Sequence, residues 1–502
     1  MSSPCSQLFP IGSVNSPDPL AHAVEQSVRK FQVLVEAILA GKWQVSSPEE
    51  LLALECSLHR DVARDCLDPI TAAVIQAAHQ NPVVVRRTRE LADSCPDVRR
   101  QRTGVPVRLT LLGGATLAVE TDYYLRRPPR GPGRRRARGR RGKRGNGQYP
   151  TLEILGVHDR VSPALASEIA RQMAISTVDE ARGILAERGI QLGTKVVWRL
   201  ANRVAERGLT HRAWKQETIQ SEITPSLAAD KRIVIGLDGG RIRTRVNLKG
   251  RRRKSGHSRF DAPWREPKVL VVYEVGDDGR RKRGGLVRYD ATLQDANGIL
   301  KLLISTLREL GAAQAKEWVI VGDGAGWIWD RVDELITQLG FERARVIEVV
   351  DFYHAVQRIH AVAEELKGWR ADKKAIWTKK MRRKMLRGQL DEVRVELHQL
   401  CRGRNAKKIR SLIRYFDRHA ARMRYADYKQ RGIPLGSGAV ESCIRRVVNL
   451  RLKGNGIFWA ERRAEGLLHM RAQLLSGQWK RFIQTILQPR PFWALSVRGV
   501  AA

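Results

Sequence analysis

Two aspartates in this chain end an apolar run and stand directly before a glycine: Asp238 in GLDGG and Asp323 in GDGAG. The C-terminal ends of strands are where functional side chains collect in open α/β sheets. A carboxylate there sits on a rigid element, and the glycine beside it lets a metal or phosphate approach the backbone. One Asp-Gly pair is ordinary turn chemistry. Two of them, ending the first and fourth strands of one pattern, point to a shared site. A third acid, Glu441 in PLGSGAVES, opens a helix behind Gly436 and Gly438. Three such oxygen ligands suit a pair of Mg²⁺ ions, for which Mn²⁺ can substitute, and the chemistry such a pair serves is phosphoryl transfer. Glu441 has a plainer reading too. It lies in a first helical turn, favoured by the helix dipole, and four residues before Arg445, a good surface partner.

Asp351 and His354 follow in DFYHAVQRIH. Asp351 also ends a strand and competes with Asp323 as the second acid. The pair either supports the active site, the aspartate orienting the imidazole toward a phosphate, or locks its helix to the sheet. A zinc site built on them lacks a fourth ligand.

The elements that must position these residues lie between 231 and about 350. RIVIGLDGGRIRTRV, VLVVYEV (269–275), GGLVRYDATL (284–293), EWVIVGDGAG and ARVIEVV read as five strands, and ANGILKLLISTLREL as a helix. Three strands on short turns, then helix, strand, helix and strand, give the order of a ribonuclease-H-like α/β fold, partly antiparallel and partly parallel. Basic helices follow at about 352–430, before the loop that opens the Glu441 helix.

Upstream, residues 1–104 read as a helical region, with Ser47 and Glu50 as a capping box, and 105–125 as a short β element turning at Gly-Gly. Residues 126–150 form an Arg-rich linker. From Arg126 to Arg144 there are eleven Arg or Lys in nineteen residues and no acid. Such a segment buries no core, and Arg134, Arg135, Arg136, Arg140 and Arg141 within it suit phosphates of any sequence. Residues 151–215 read as short helices capped by Ser162, Ser176 or Thr177, and Thr194: either a helix-turn-helix DNA reader or a simple packing module. The tail is 476–502.

The formal charge of +39 over 502 residues favours a polyanionic partner, nucleic acid before membrane. No run of about twenty apolar residues suggests a membrane span, and the first residues lack the pattern of a secretory signal. Six scattered cysteines read as free thiols of a reducing cytoplasm.

GLDGGRIR, VGDGAGWIWD, DFYHAVQRIH and PLGSGAVESCIRRVVNLRLKGNGIFW, in this order, resemble the DDE transposases of bacterial insertion sequences, of the Kra-type branch related to the Lre-type and Mutator-like groups. The resemblance covers roughly 150–475, extending weakly upstream of the core through NGQYPTLEILGVHDRVSPALASEIA. It implies Asp238, Asp323 and Glu441 as catalytic, metal-holding acids, a catalytic domain at 231–475 with an insertion at about 352–430, and Asp351 with His354 in support. It implies double-stranded DNA as partner, both terminal inverted repeats and target, and a homo-oligomer on DNA in the bacterial nucleoid. Arg241 and Arg243, with Arg245 alternating beside them, and Arg445, Arg446, Arg451 and Lys453 would bind the DNA backbone; Trp459 is either a core residue or a base-stacking one. Some relatives carry cysteine pairs ahead of the helical module; here none stands there. A non-catalytic DNA-binding protein and a structure-specific nuclease on the same fold are the alternatives.

Overall fold

A computed structural model describes residues 19–40, 45–94, 98–126, 147–218, 226–248, 250, 259–401 and 406–488. Arg134, Arg135, Arg136, Arg140 and Arg141 of the basic linker lie outside them. The chain divides into two compact units, residues 1–204 with 483–502, and residues 205–482.

The first unit opens with α1 (Pro19–Leu39), α2 (Pro48–Val62), α3 (Asp68–Ala78) and α4 (Pro82–Asp93). Ser47 caps α2 by accepting from the Glu50 N–H, but the Glu50 carboxylate turns to the backbone and hydroxyl of Ser46, so only half the expected box forms. A hairpin follows, β1 (Val98–Thr110) and β2 (Thr116–Arg126), with β3 (Gly147–Gln148) beside β2. It begins earlier than the 105 read from sequence, because the arginine-rich segment 98–104 pairs through two register shifts. Buried Asp68 holds the Gly-Gly turn, accepting from the N–H groups of Gly113 (3.0 Å) and Ala115 (2.9 Å). Then come α5 (Pro150–Ile154), α6 (Pro163–Ile175), α7 (Val178–Glu187) and α8 (Thr194–Thr218). Ser162 caps α6, and Thr177 forms a full capping box with Glu180 on α7. Leu165, Ile169 and Met173 of α6 are buried, as are Ala181 and Leu185 of α7. α8 is no short helix. Its 25 residues continue through Gly208, where a Cβ would stand 2.8 Å from the Phe482 ring. The division between the units falls inside α8.

The second unit is mixed α/β. Its strands are β4 (Arg232–Gly239), β5 (Ile242–Arg243), β6 (Val246–Asn247), β7 (Phe260–Asp261), β8 (Trp264–Arg265), β9 (Lys268–Val275) and β10 (Val287–Thr292). After α9 (Ala296–Leu310) come β11 (Glu317–Gly322), α10 (Gly326–Trp329), α11 (Val332–Leu339) and β12 (Val346–Val350). The main sheet runs β10-β9-β4-β11-β12: β10, β9 and β4 pair antiparallel, and β4, β11 and β12 pair parallel. Its central strands are buried almost throughout, which is why they read as continuous apolar runs. The first strand is not continuous to Val246 as the sequence suggests. It stops at Gly239-Gly240, where side chains would meet Glu266 (2.1 Å) and Pro267 (3.3 Å), and resumes as two small ribbons, β5 with β8 and β6 with β7.

Among the described residues the excursion after β12 has five α-helices: α12 (Phe352–Glu365), α13 (Ala371–Leu386), α14 (Leu390–Gln399), α15 (Ala406–His419) and α16 (Tyr425–Gln430). α17 (Gly438–Cys443), a π-helical turn at Ile444–Asn449, α18 (Leu450–Leu452), α19 (Glu461–Leu475) and α20 (Trp479–Ile486) complete the described chain. No helix among the described residues is long and apolar enough to cross a membrane.

Candidate active site

Strand register sets the site. Gly236, Val321 and Val349 are aligned partners on the parallel strands β4, β11 and β12. Counting on two residues in each reaches Asp238, Asp323 and Asp351, so three acids stand level at neighbouring strand ends on one sheet face. Gly236 brings the fourth acid. A Cβ there would lie 2.2 Å from Cγ2 of Val440, so the bare glycine lets α17 settle onto β4 on the face Asp238 shares. Glu441 is the next residue of that helix, exposed and without an ion pair to Arg445 among the described residues.

The four carboxylates differ in what they are bonded to. Asp238 accepts from the Gly239 N–H (2.6 Å) and Asp323 from the Ala325 N–H (2.9 Å). In each the second oxygen has no hydrogen-bond partner among the described residues. Asp351 is fully buried, and both its oxygens are taken. One caps α12 through the N–H groups of Tyr353 (2.5 Å) and His354 (3.0 Å); the other accepts from the Ser437 N–H (2.5 Å). The Phe352 N–H also donates to the Leu435 carbonyl at 2.8 Å. Asp351 is therefore the joint between the sheet, α12 and the loop that delivers Glu441, and it is poorly suited to be the second acid.

Electrostatics separates them further. Burial pushes Asp238 up to about 6; the Gly239 N–H and His354 oppose this, while the charges of Asp323 and Glu441 add to it. Asp351 goes the other way. Burial alone would raise it, but His354, Ser437 and the backbone donors outweigh that and bring it to about 2. His354 is raised, foremost by Asp351 against its own burial, with Asp323 and Asp238 contributing. Its Nδ1 lies 3.7 Å from Asp351, too far for a hydrogen bond, and is buried without a partner, as is the Ser437 hydroxyl.

Donor atoms of Asp351, His354 and Glu441 all lie within 4.8 Å of one another, the one group of three so close among the described residues. Asp238, Asp323 and Glu441 do not close to that distance as a set. With Asp351 committed to three N–H groups, what remains for a cation is hard carboxylate oxygen on Asp238, Asp323 and Glu441, with the His354 imidazole at the edge. Carboxylate oxygens are the ligands that hard divalent cations take, and the one group among the described residues whose donor atoms lie close enough together to hold an ion is that of Asp351, His354 and Glu441.

The excursion supports the second acid. Tyr415 of α15 donates to the Asp323 carbonyl (3.0 Å), its ring packs where a Cβ of Gly324 would lie, and the Arg358 guanidinium lies over that ring at 5.2 Å. Sequence reasoning missed Tyr415, since nothing local links it to position 323.

The basic candidates are scattered. Arg241, Arg243, Arg445 and Lys453 are exposed, and Arg446 is half-buried against Tyr289. Arg451 is 7% exposed and lies over Trp459, itself a core residue whose indole N–H donates to the Leu452 carbonyl. Missed too was Arg471, buried and donating to the carbonyls of Arg446 and Val447 in the π-helical turn.

No family model, curated protein or solved structure matches this chain.

Proposed function

We propose that the chain is a DNA transposase of the Asp-Asp-Glu type, which hydrolyses DNA at transposon ends and joins the freed 3′-hydroxyl to target DNA. The observation that carries this reading is that Asp238 and Asp323 each stand two residues beyond the paired Gly236 and Val321 of adjacent parallel strands, while Val440, the neighbour of Glu441, packs against Gly236. A ribonuclease-H-like core is the finer fold we assign; in its favour are the sheet order β10-β9-β4-β11-β12 and a helical excursion ahead of the acid-bearing helix. The charge of +39 suits a polyanionic substrate.

Asp238, Asp323 and Glu441 would hold two divalent ions, and those ions when bound supply charge neutralisation at the scissile phosphate and an acidified attacking hydroxyl. Asp238 and Asp323 each keep one carboxylate oxygen without a hydrogen-bond partner among the described residues, available to such an ion. Asp351 keeps Ser437, and through it the start of α17, in place. His354, held toward its protonated form, offers a positive charge at the rim of the acids, and Arg241, Arg243, Arg445 and Lys453 offer phosphate contacts.

The test uses labelled DNA ends carrying the inverted repeats expected beside the gene, incubated with protein and Mg²⁺ or Mn²⁺. Nicks with free 3′-hydroxyls and strand-transfer products are expected. Asp238→Ala, Asp323→Ala and Glu441→Ala should each abolish cleavage and still retard the DNA. Cleavage by Asp238→Ala overturns the assignment. Retarded but uncut DNA with the unaltered protein leaves a DNA-binding protein; cutting of branched DNA without strand transfer leaves a nuclease.

A further inference from the structure

Three residues beyond Asp238 the chain enters a small ribbon of which the proposed function uses only Arg241 and Arg243, leaving Arg245 and the aromatic rings beneath all three without a role. Arg241, Arg243 and Arg245 are exposed and alternate with buried Ile242 and Thr244, so the guanidinium groups rise from one face at a spacing of about 7 Å. None of the three pairs with a carboxylate among the described residues. Each lies on an aromatic ring instead: Arg241 and Arg243 on Trp264 (5.1 and 5.0 Å), Arg243 also near Phe458 (5.9 Å), and Arg245 on Phe260 (4.4 Å). Trp264 keeps 47% of its surface exposed despite these contacts.

The ribbon is held on several sides. β5 pairs with β8 and β6 with β7, and the segment ending at Trp459 adds a third edge. There the Arg245 N–H donates to the Trp459 carbonyl (2.7 Å) and the Trp459 N–H to the Arg243 carbonyl (3.1 Å). One comb of arginines is thus fastened both to the strand of Asp238 and to the chain that follows Glu441. Like charges in a row repel, and a protein that fixes three of them at strand spacing beside the exposed Trp264 ring has the two elements that grip single-stranded nucleic acid: cations for successive phosphates and an aromatic surface for an unpaired base.

We propose that this ribbon binds an unpaired DNA strand leaving the site, with Arg241, Arg243 and Arg245 on its phosphates and Trp264 stacking on a base. The proposal rests on DNA being the partner, not on catalysis. Guanidinium groups laid flat on a ring still present their N–H edges outward to phosphate oxygens.

The test measures anisotropy of labelled oligodeoxythymidylate and of a blunt duplex of equal length, with EDTA present and Asp238→Ala in the background, so that cleavage plays no part. Trp264→Ala should weaken single-strand binding at least about fivefold and leave duplex binding unchanged, while Trp264→Phe restores most of the loss. Arg241→Ala and Arg243→Ala should each lower the single-strand salt slope by about 0.7. Unchanged thermal melting of each variant shows that the fold is intact. Equal losses on both DNAs with Trp264→Ala, or none on either, overturn the proposal. So does a protein that binds only duplex. Failure of the catalytic reading shows separately, as absent cleavage by the unaltered protein whose strand discrimination persists.

Discussion

Gly236→Ala is the sharpest probe of how the site is assembled. The added Cβ would stand 2.2 Å from Cγ2 of Val440 and 3.1 Å from Cγ1 of Val271. Ordinary carbon contacts begin near about 3.5 Å, so α17 must retreat by roughly 1.3 Å or Val440 must turn. Val440 is 1% exposed and β-branched in a helix, so it has neither room nor an alternative rotamer. Overpacking of this kind costs about 1–3 kcal/mol, a fall of about 2–12 °C in melting temperature for a unit of this size. Glu441 adjoins Val440 and moves with it, and a displacement near 1 Å at a reacting centre lowers the rate by up to about 100-fold. The assay is a double-mutant cycle by urea unfolding together with cleavage. Val440→Ala alone opens a cavity, but combined with Gly236→Ala it vacates the space the new methyl needs. A favourable coupling of about 1 kcal/mol or more is expected, with cleavage partly regained. Additive losses, or a Gly236→Ala protein as stable as the parent, would refute the proposition that this glycine seats the helix.

Asp238 binds its proton more tightly in the folded state, with a value near 6 against an ordinary 3.8. In EDTA, stability should therefore fall as pH rises through that window, by about 3 kcal/mol in all. Asp238→Asn should melt higher than the parent at pH 8 but not at pH 4, and Mg²⁺ should raise the parent's melting temperature at pH 8 and not the variant's. Asp351 is depressed to about 2, so its contribution is present above the ordinary carboxylate range and lost as pH falls toward 2. Asp351→Asn should flatten that acid limb in unfolding titrations, and Asp351→Ala should cost about 3 kcal/mol by orphaning buried N–H donors. Tyr415→Phe removes the bond to the Asp323 carbonyl and should cost about 1 kcal/mol in urea unfolding. Gly324→Ala should cost more, about 1–3 kcal/mol, because φ is +94° and the new methyl meets the Tyr415 ring.

Much of the second unit's sheet is legible in the chain because β4, β9, β11 and β12 are largely apolar runs closed by glycine or aspartate signals, and the Asp295 cap and the left-handed Gly311 bracket α9. Asp238 and Asp323 are legible for the same reason: a charge at the end of a buried run has few other places to be. The approach of Glu441 is encoded too, in the glycine interior to IVIGLDGG, but that residue is easily read as part of the strand rather than as a contact. The roles of Asp351 and Arg451 are not local. Whether a strand-end aspartate is free or bonded depends on Ser437, 86 residues away. Whether an arginine faces solvent depends on Trp459 folding over it. Gly208 illustrates the opposite failure, a helix breaker by propensity that the Phe482 ring makes necessary.

The helical excursion leaves the sheet at Phe352 and returns at Leu435, and those two residues are hydrogen bonded to each other. A lobe closed at so narrow a neck looks detachable, as though it could be trimmed to a short linker with the acids undisturbed. Its tyrosines forbid that. Tyr425 and Tyr428 donate to the carbonyls of Val350 and Glu348 on β12, the outermost strand, which no further strand covers among the described residues. Trimming the lobe would bare a sheet margin ready to recruit a strand from another chain. Shortened forms of this protein should therefore be lost to aggregation before any damage to their chemistry could be seen.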